Sequence, residues 1–155
     1  MSEKKNKVLR EAFGMFSTGI TVVTTTDKNK NPIGMTVNSF SSVSLDPPLV
    51  LWSIAKKQPS YESFLEAKGY AVNVLSKEQI ELCNHFASPL ENKFDNINWK
   101  LSENGFPLLN DTIACFDCIK WNDYDGGDHT ILVGKVTSSD KTNMKPLTFW
   151  NGQIS

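Results

Sequence analysis

The chain lacks a long apolar run, an excess of either charge, and a glycine-rich nucleotide signature. Sixteen Lys and Arg face seventeen Asp and Glu, so 155 residues carry a net charge of -1. That balance gives no electrostatic basis for holding nucleic acid or an anionic membrane. No segment stays apolar for the roughly 20 residues a membrane-spanning helix needs. The start, Met1-Ser2-Glu3-Lys4-Lys5-Asn6-Lys7, lacks the apolar stretch of a signal peptide, so a cytoplasmic location is expected. Three cysteines, an odd number, suggest reduced thiols rather than a disulfide framework. No Gly-x-Gly-x-x-Gly occurs, which argues against a Rossmann site. Gly14-Met15-Phe16-Ser17-Thr18-Gly19-Ile20-Thr21 mimics a phosphate-binding loop, but Ile20 stands where the essential Lys must be. Residues 1–155 are expected to form one domain, long enough to bury a real core.

What is present is a series of short β-rich segments. Val8, Leu9, Ala12, Phe13 and Phe16 recur at helical spacing, predicting an opening amphipathic helix closed by Gly19. Ile20 to Thr26 is β-branched throughout and reads as a strand. Asp27 to Pro32 reads as a hairpin connection. Gly34 to Pro48 crowds Thr36, Asn38, Ser39, Ser41, Ser42, Ser44 and Asp46 among Met35, Val37, Phe40, Val43 and Leu45. Read as one extended strand, Thr36, Asn38, Ser42 and Ser44 share a face opposite Met35, Val37, Val43 and Leu45. The polar face either lines a ligand, offering neutral donors and acceptors, or faces solvent in an antiparallel sheet.

Leu49 to Ile54 is expected to be a strand buried on both faces, Pro59 to Ala67 a short helix, and Tyr70 to Leu75 a further strand. Ser76 with Gln79 forms a capping-box pattern before a helix carrying Ile80, Leu82, Cys83 and Phe86. Ser88 to Asp111 looks irregular, and Thr112 to Lys120 and Thr130 to Thr137 alternate as two last strands. The fold class is therefore mainly β, an antiparallel barrel with a few short peripheral helices.

Metal and thiol chemistry find little support. Cys115-x-x-Cys118 has zinc-ligand spacing, but a strand would point the two side chains to opposite faces and no second pair follows. Cys83 near His85 is a conceivable nucleophile pair, although Cys83 sits on the apolar side of its helix. In Asp125-Gly126-Gly127-Asp128-His129 the two glycines permit a tight turn. His129 then opens a strand, with Asp128 expected to point away from its imidazole.

Taken in order, Met15 to Thr25, the Ser-rich stretch with Pro47-Pro48-Leu49-Val50, Tyr70 to Ser76, His85-Phe86-Ala87-Ser88, Tyr124 to Ile131 and Val133-Gly134-Lys135-Val136 resemble one family. It is the short-chain flavin reductases of the FMN-binding split-barrel fold, reductase components of two-component flavin monooxygenases. The resemblance covers nearly the whole chain. It implies a split β-barrel and hydride transfer from NADH or NADPH to FMN or FAD, with reduced flavin passed to a partner oxygenase. It also implies a homodimer with flavin sites near the interface. By that resemblance Thr36, Val37, Asn38, Ser39, Ser42 and Val43 contact flavin, and Ser53, Ile54 and Ala55 continue the wall. Phe86, Ala87 and Ser88 lie near its phosphate end, and Lys93-Phe94 match a basic residue followed by Phe. Lys93, Lys56 and Lys57 are either phosphate ligands or solvated charges. His129 is implied beside the nicotinamide, as the catalytic position. Trp52 stands where an aliphatic residue is commoner, as core filling or as a contact to a second subunit, and the tail lacks the usual basic residue and final Tyr. A non-catalytic flavin binder, a store or redox sensor, is the alternative, since a fold does not fix function.

Overall fold

The computed structural model describes residues 2–155. Helix α1 (Glu3–Gly14) is followed by strands β1 (Thr18–Gly19), β2 (Thr21–Thr26), β3 (Pro32–Val37), β4 (Ser41–Leu45) and β5 (Pro48–Ala55). Helix α2 (Tyr61–Glu66), strand β6 (Gly69–Val74) and helix α3 (Ile80–Ala87) come next. The chain ends through β7 (Trp99–Leu101), β8 (Pro107–Leu109), β9 (Ala114–Gly126), β10 (His129–Lys141), β11 (Thr148–Trp150) and β12 (Gln153–Ile154). Seven strands form one antiparallel sheet in the order β3-β2-β6-β9-β10-β5-β4. Its edges, β3 and β4, are consecutive in the chain but not hydrogen-bonded to each other, so the barrel is split.

The β-branched run Thr21–Thr26 supplies a strand adjacent to β3 that is buried on both faces. Three of its four threonine hydroxyls are committed to backbone carbonyls. Thr24 Oγ1 donates to the Pro107 carbonyl at 2.5 Å and Thr25 Oγ1 to that of Gly69 at 2.9 Å. Buried Asn73 joins three strands: Nδ2 donates to the Val22 carbonyl at 3.0 Å, and Oδ1 accepts from Leu109 N at 2.9 Å. Inside the barrel Trp52 meets Phe64 and Tyr70 edge-on, at ring separations of 4.8 and 5.9 Å. Trp52 is fully buried, which settles it as core filling. A second cluster, with Val22, Leu75, Cys83, Phe86 and Leu147, lies between the sheet and α3.

Several local expectations give way to tertiary contacts. Helix α1 stops at Gly14, not Gly19. The C-terminal tail ends it: Asn151 N donates to the Gly14 carbonyl at 2.7 Å and Trp150 Nε1 to that of Met15 at 3.1 Å. The Ser-rich stretch is two strands rather than one, broken at Asn38–Phe40, and its halves form opposite edges of the sheet. A register shift between Ser42 and Ser44 further disrupts the expected alternation. Strand β5 alternates instead of being buried on both faces, with Val50, Trp52 and Ile54 inward. The segment Ser88 to Asp111 contains the β7–β8 hairpin. The last two strands run to 13 residues each, with two register shifts along the ribbon. The hairpin at Asp27 and the capping bond from Ser76 N to Gln79 Oε1, at 3.0 Å, form as the sequence predicts.

Candidate functional site

A cavity of about 610 Å3 opens between β3, the start of α2, and the end of α3 with the loop after it. Glycine at position 34 makes this geometry possible. A Cβ there would lie 2.9 Å from Phe86 Cε1 and 3.1 Å from Phe94 Cζ, so only glycine lets α3 press its aromatic against β3. Thr36 Oγ1 donates to the Cys83 carbonyl at 2.7 Å, fixing the other side of the same contact. The loop after α3 folds back onto that helix. Ser88 Oγ donates to the His85 carbonyl at 2.6 Å, and His85 Nε2 lies 2.6 Å from the Lys93 carbonyl oxygen.

Lys93 is neither a free surface charge nor an ion-pair partner. Its ammonium donates to the Phe86 carbonyl at 3.0 Å and reaches that of Gly34 at 3.5 Å. Positive charge at a helix C-terminus complements the helix dipole. Burial nevertheless holds the amine below its ordinary pKa. The cavity wall thus combines this amine, the hydroxyl-bearing Thr36, Ser60, Ser63 and Ser88, and apolar Pro32, Met35, Phe86 and Phe94. Such a volume with few polar groups on apolar walls is typical of a nucleotide-sized ligand site. Gln58, Pro59, Ser60 and Ser63 line it unforeseen by the sequence reading; Pro59-Ser60 before a short helix was the only local signal.

Thr36, Phe86, Ala87, Ser88, Lys93 and Phe94 converge on this cavity. The remaining sequence-derived positions lie elsewhere. Ser39 Oγ donates to the Ser53 carbonyl and accepts from Ser53 N, both at 3.0 Å, clipping the turn between β3 and β4 onto β5. Two residues further along β5, Ala55 pairs in register with His129. Strand order therefore links the cavity, through the Ser39–Ser53 clip, to the β9–β10 hairpin tip. Ile54 is fully buried in the barrel core, and Val37 packs on that core. Asn38 lines a smaller cavity of about 350 Å3, with Arg10, Phe13, Gly14, Phe149 and Asn151. Ser42 and Val43 lie exposed on edge strand β4.

At the hairpin tip Gly127 has φ +78° and turns the chain between the long strands. Asp128 consequently sits in the turn rather than in strand alternation. Its Oδ1 lies 2.7 Å from His129 Nδ1, contrary to the expectation that it points away. Lys56 fastens the tip twice, by its N–H to the Asp128 carbonyl at 2.9 Å and by its ammonium to Asp125 Oδ1 at 2.5 Å. The Lys56 ammonium holds the Asp125 carboxyl below its usual range. The thiols are unsuited to nucleophilic work: burial raises Cys83 and pushes Cys118 up to about 12. His85 is engaged by Lys93, not by Cys83. Among the described residues no three His, Cys, Asp or Glu side chains converge as a metal site, and no helix is long and apolar enough to cross a membrane.

Residues 13–155 match the family described as flavin reductase like domain. The reductase component of a flavin-dependent trigonelline monooxygenase from Acinetobacter baylyi is 44% identical over 148 residues, which is 96% of this chain and 48% of that one. The FMN reductase (NADH) SmoA of Agrobacterium fabrum is 44% identical over 149 residues, covering 96% of this chain and 84% of that one. Among solved structures, Streptomyces globisporus NADH:FAD oxidoreductase SgcE6 in complex with NAD and FAD fragments superposes with a TM-score of 0.92 at 37% identity, covering 100% of this chain and 94% of that one. That superposition shows a common fold over the whole chain. The chain belongs to the flavin-reductase-like family. It spans about half the length of the Acinetobacter protein and of another curated relative.

Proposed function

We propose that the chain is an NAD(P)H:flavin oxidoreductase, with residues 1–155 acting as a single flavin-reductase-like domain. It takes a hydride from NADH or NADPH, passes it to FMN or FAD, and releases reduced flavin to a partner monooxygenase. The observation that carries this is the match of residues 13–155 to the family, together with a cavity whose makeup suits a flavin nucleotide. The cavity offers an aromatic edge from Phe86 and Phe94, hydroxyls, and one amine. Flavin and nicotinamide supply the electronic chemistry when bound, and the protein supplies position and electrostatics. Holding two planar rings in contact removes much of the entropic barrier. No strong acid or base is demanded of the chain, in keeping with thiols raised by burial.

In this reading Thr36 stands on one wall and Phe86 to Ser88 with Lys93 and Phe94 on the other, the Ser39–Ser53 clip holds β5 beyond the cavity, and His129 meets the nicotinamide. The protein works as a homodimer in the cytoplasm, where its three free thiols stay reduced. Exposed Phe13, Phe16 and Trp150 supply apolar surface for the second subunit. The reductase named as part of a trigonelline monooxygenase supports an oxygenase as recipient. The test is oxidation of NADH and of NADPH with FMN or FAD, followed by the absorbance of the reduced nicotinamide. We expect flavin-dependent turnover with at least one donor. Rates at background for every pair would overturn the assignment.

A further inference from the structure

The connection between β5 and α2 is tied at both ends to the β9–β10 hairpin. At its start the Lys56 N–H donates to the Asp128 carbonyl at 2.9 Å. At its end the Tyr61 hydroxyl lies 2.7 Å from Thr130 Oγ1, and either oxygen can donate. Between these anchors Gln58, Pro59 and Ser60 line the larger cavity, and Ser60 Oγ reaches Met35 Sδ on β3 at 3.7 Å. The first anchor is made by the backbone, the second by side chains alone. Thr130 is only 6% exposed, and among the described residues each hydroxyl has the other as its hydrogen-bond partner. Neither Tyr61 nor Thr130 lines the cavity.

We propose that Tyr61 is a positioning residue: its bond to Thr130 sets the wall formed by Gln58, Pro59 and Ser60, so that the β9–β10 hairpin governs affinity in a cavity neither hydroxyl touches. Phe64, buried in the barrel core, keeps α2 on the sheet, which leaves the turn before the helix to be fixed by Tyr61. A turn held at both ends is already ordered when a ligand arrives. With one end freed, binding has to order that stretch of backbone, and affinity falls. That the ligand is a flavin rests on the reductase reading above; the double anchoring does not.

The test separates position from stability. Tyr61→Phe strands the buried Thr130 hydroxyl and should lower both melting temperature and flavin affinity. Tyr61→Phe combined with Thr130→Val removes both hydroxyls, a change close to neutral for stability. Its melting temperature should therefore return toward that of the unmodified protein. Its flavin Kd, from fluorescence titration with FMN and with FAD well below every melting temperature, should stay raised about 3- to 10-fold, the worth of one hydrogen bond. Thr130→Ser keeps a hydroxyl and should bind flavin as the unmodified protein does. Unmodified flavin affinity in the double variant would overturn the proposal, whatever its melting temperature. So would binding by Thr130→Ser as weak as that of the double variant, because the hydroxyl would then not be what sets the wall. An unmodified protein that binds neither FMN nor FAD would overturn the reductase reading and this coupling with it, whereas equal affinity across all the variants would overturn the coupling alone.

Discussion

Helices α1 and α3 carry the same kind of sequence and meet opposite fates. Both place aromatic and aliphatic residues at helical spacing, which marks an apolar stripe. In α3 the stripe is consumed: Cys83 and Phe86 are buried against β2, β3 and the loop that returns at Phe94. In α1 no residue is buried, and Phe13 within it and Phe16 just beyond it stay 68% and 77% exposed. Periodicity reports which face is apolar, not what covers it. Gly34 makes room for α3, whereas among the described residues the hydrogen bonds that tie α1 to the tail lie at its end, on Gly14 and Met15.

The strongest way to break this contrast is Phe86→Ala. Truncating a fully buried aromatic costs about 3–5 kcal/mol, so denaturant unfolding should show a midpoint far below that of the parent. A cost below 1 kcal/mol, on the order of a surface change, would mean that α3 is no better anchored than α1. A smaller loss is expected from Asn73→Ala on the same face. It leaves Leu109 N and the Val22 carbonyl without their side-chain partner, worth about 1–3 kcal/mol. Unchanged stability there would show that the β7–β8 hairpin is dispensable to the α3 side. The smallest stability effect belongs to Phe13→Ser with Phe16→Ser, within about 0.5 kcal/mol for exposed positions if the chain is alone. Sedimentation should instead show the mass falling from dimer to monomer at micromolar concentration. A variant that stays dimeric would move the proposed interface away from α1.

The parts legible in the sequence were those decided by neighbours along the chain. Thr21 to Thr26 announces a strand by β-branching, and Ser76 with Gln79 announces the start of the α3 segment by reciprocal capping. The break of the Ser-rich stretch into β3 and β4 was invisible to alternation because it depends on Ser39 finding Ser53, 14 residues away. Alternation alone then put Asn38 beside Thr36, whereas the turn sends it to a different cavity, against α1 and the tail. The Asp128–His129 pair was misread for a related reason. Strand alternation was extended one residue into a turn that Gly127 had already redirected. Lys93 was ambiguous because its partners, the Phe86 and Gly34 carbonyls, are backbone groups that no side-chain motif records.

Trp52 gives the barrel an optical consequence. The chain has four tryptophans, and Trp52 alone is wholly shielded, whereas Trp121 and Trp150 are 49% and 47% exposed. Its indole sits among Phe64 and Tyr70 with an N–H that finds no hydrogen-bond partner, an environment far less polar than water. A collisional quencher dissolved in the buffer therefore reaches the indoles of the outer ribbon and the tail and leaves this one alight. The unquenched fraction of the fluorescence is a direct gauge of whether the barrel interior is open, separable from any loosening at its ends.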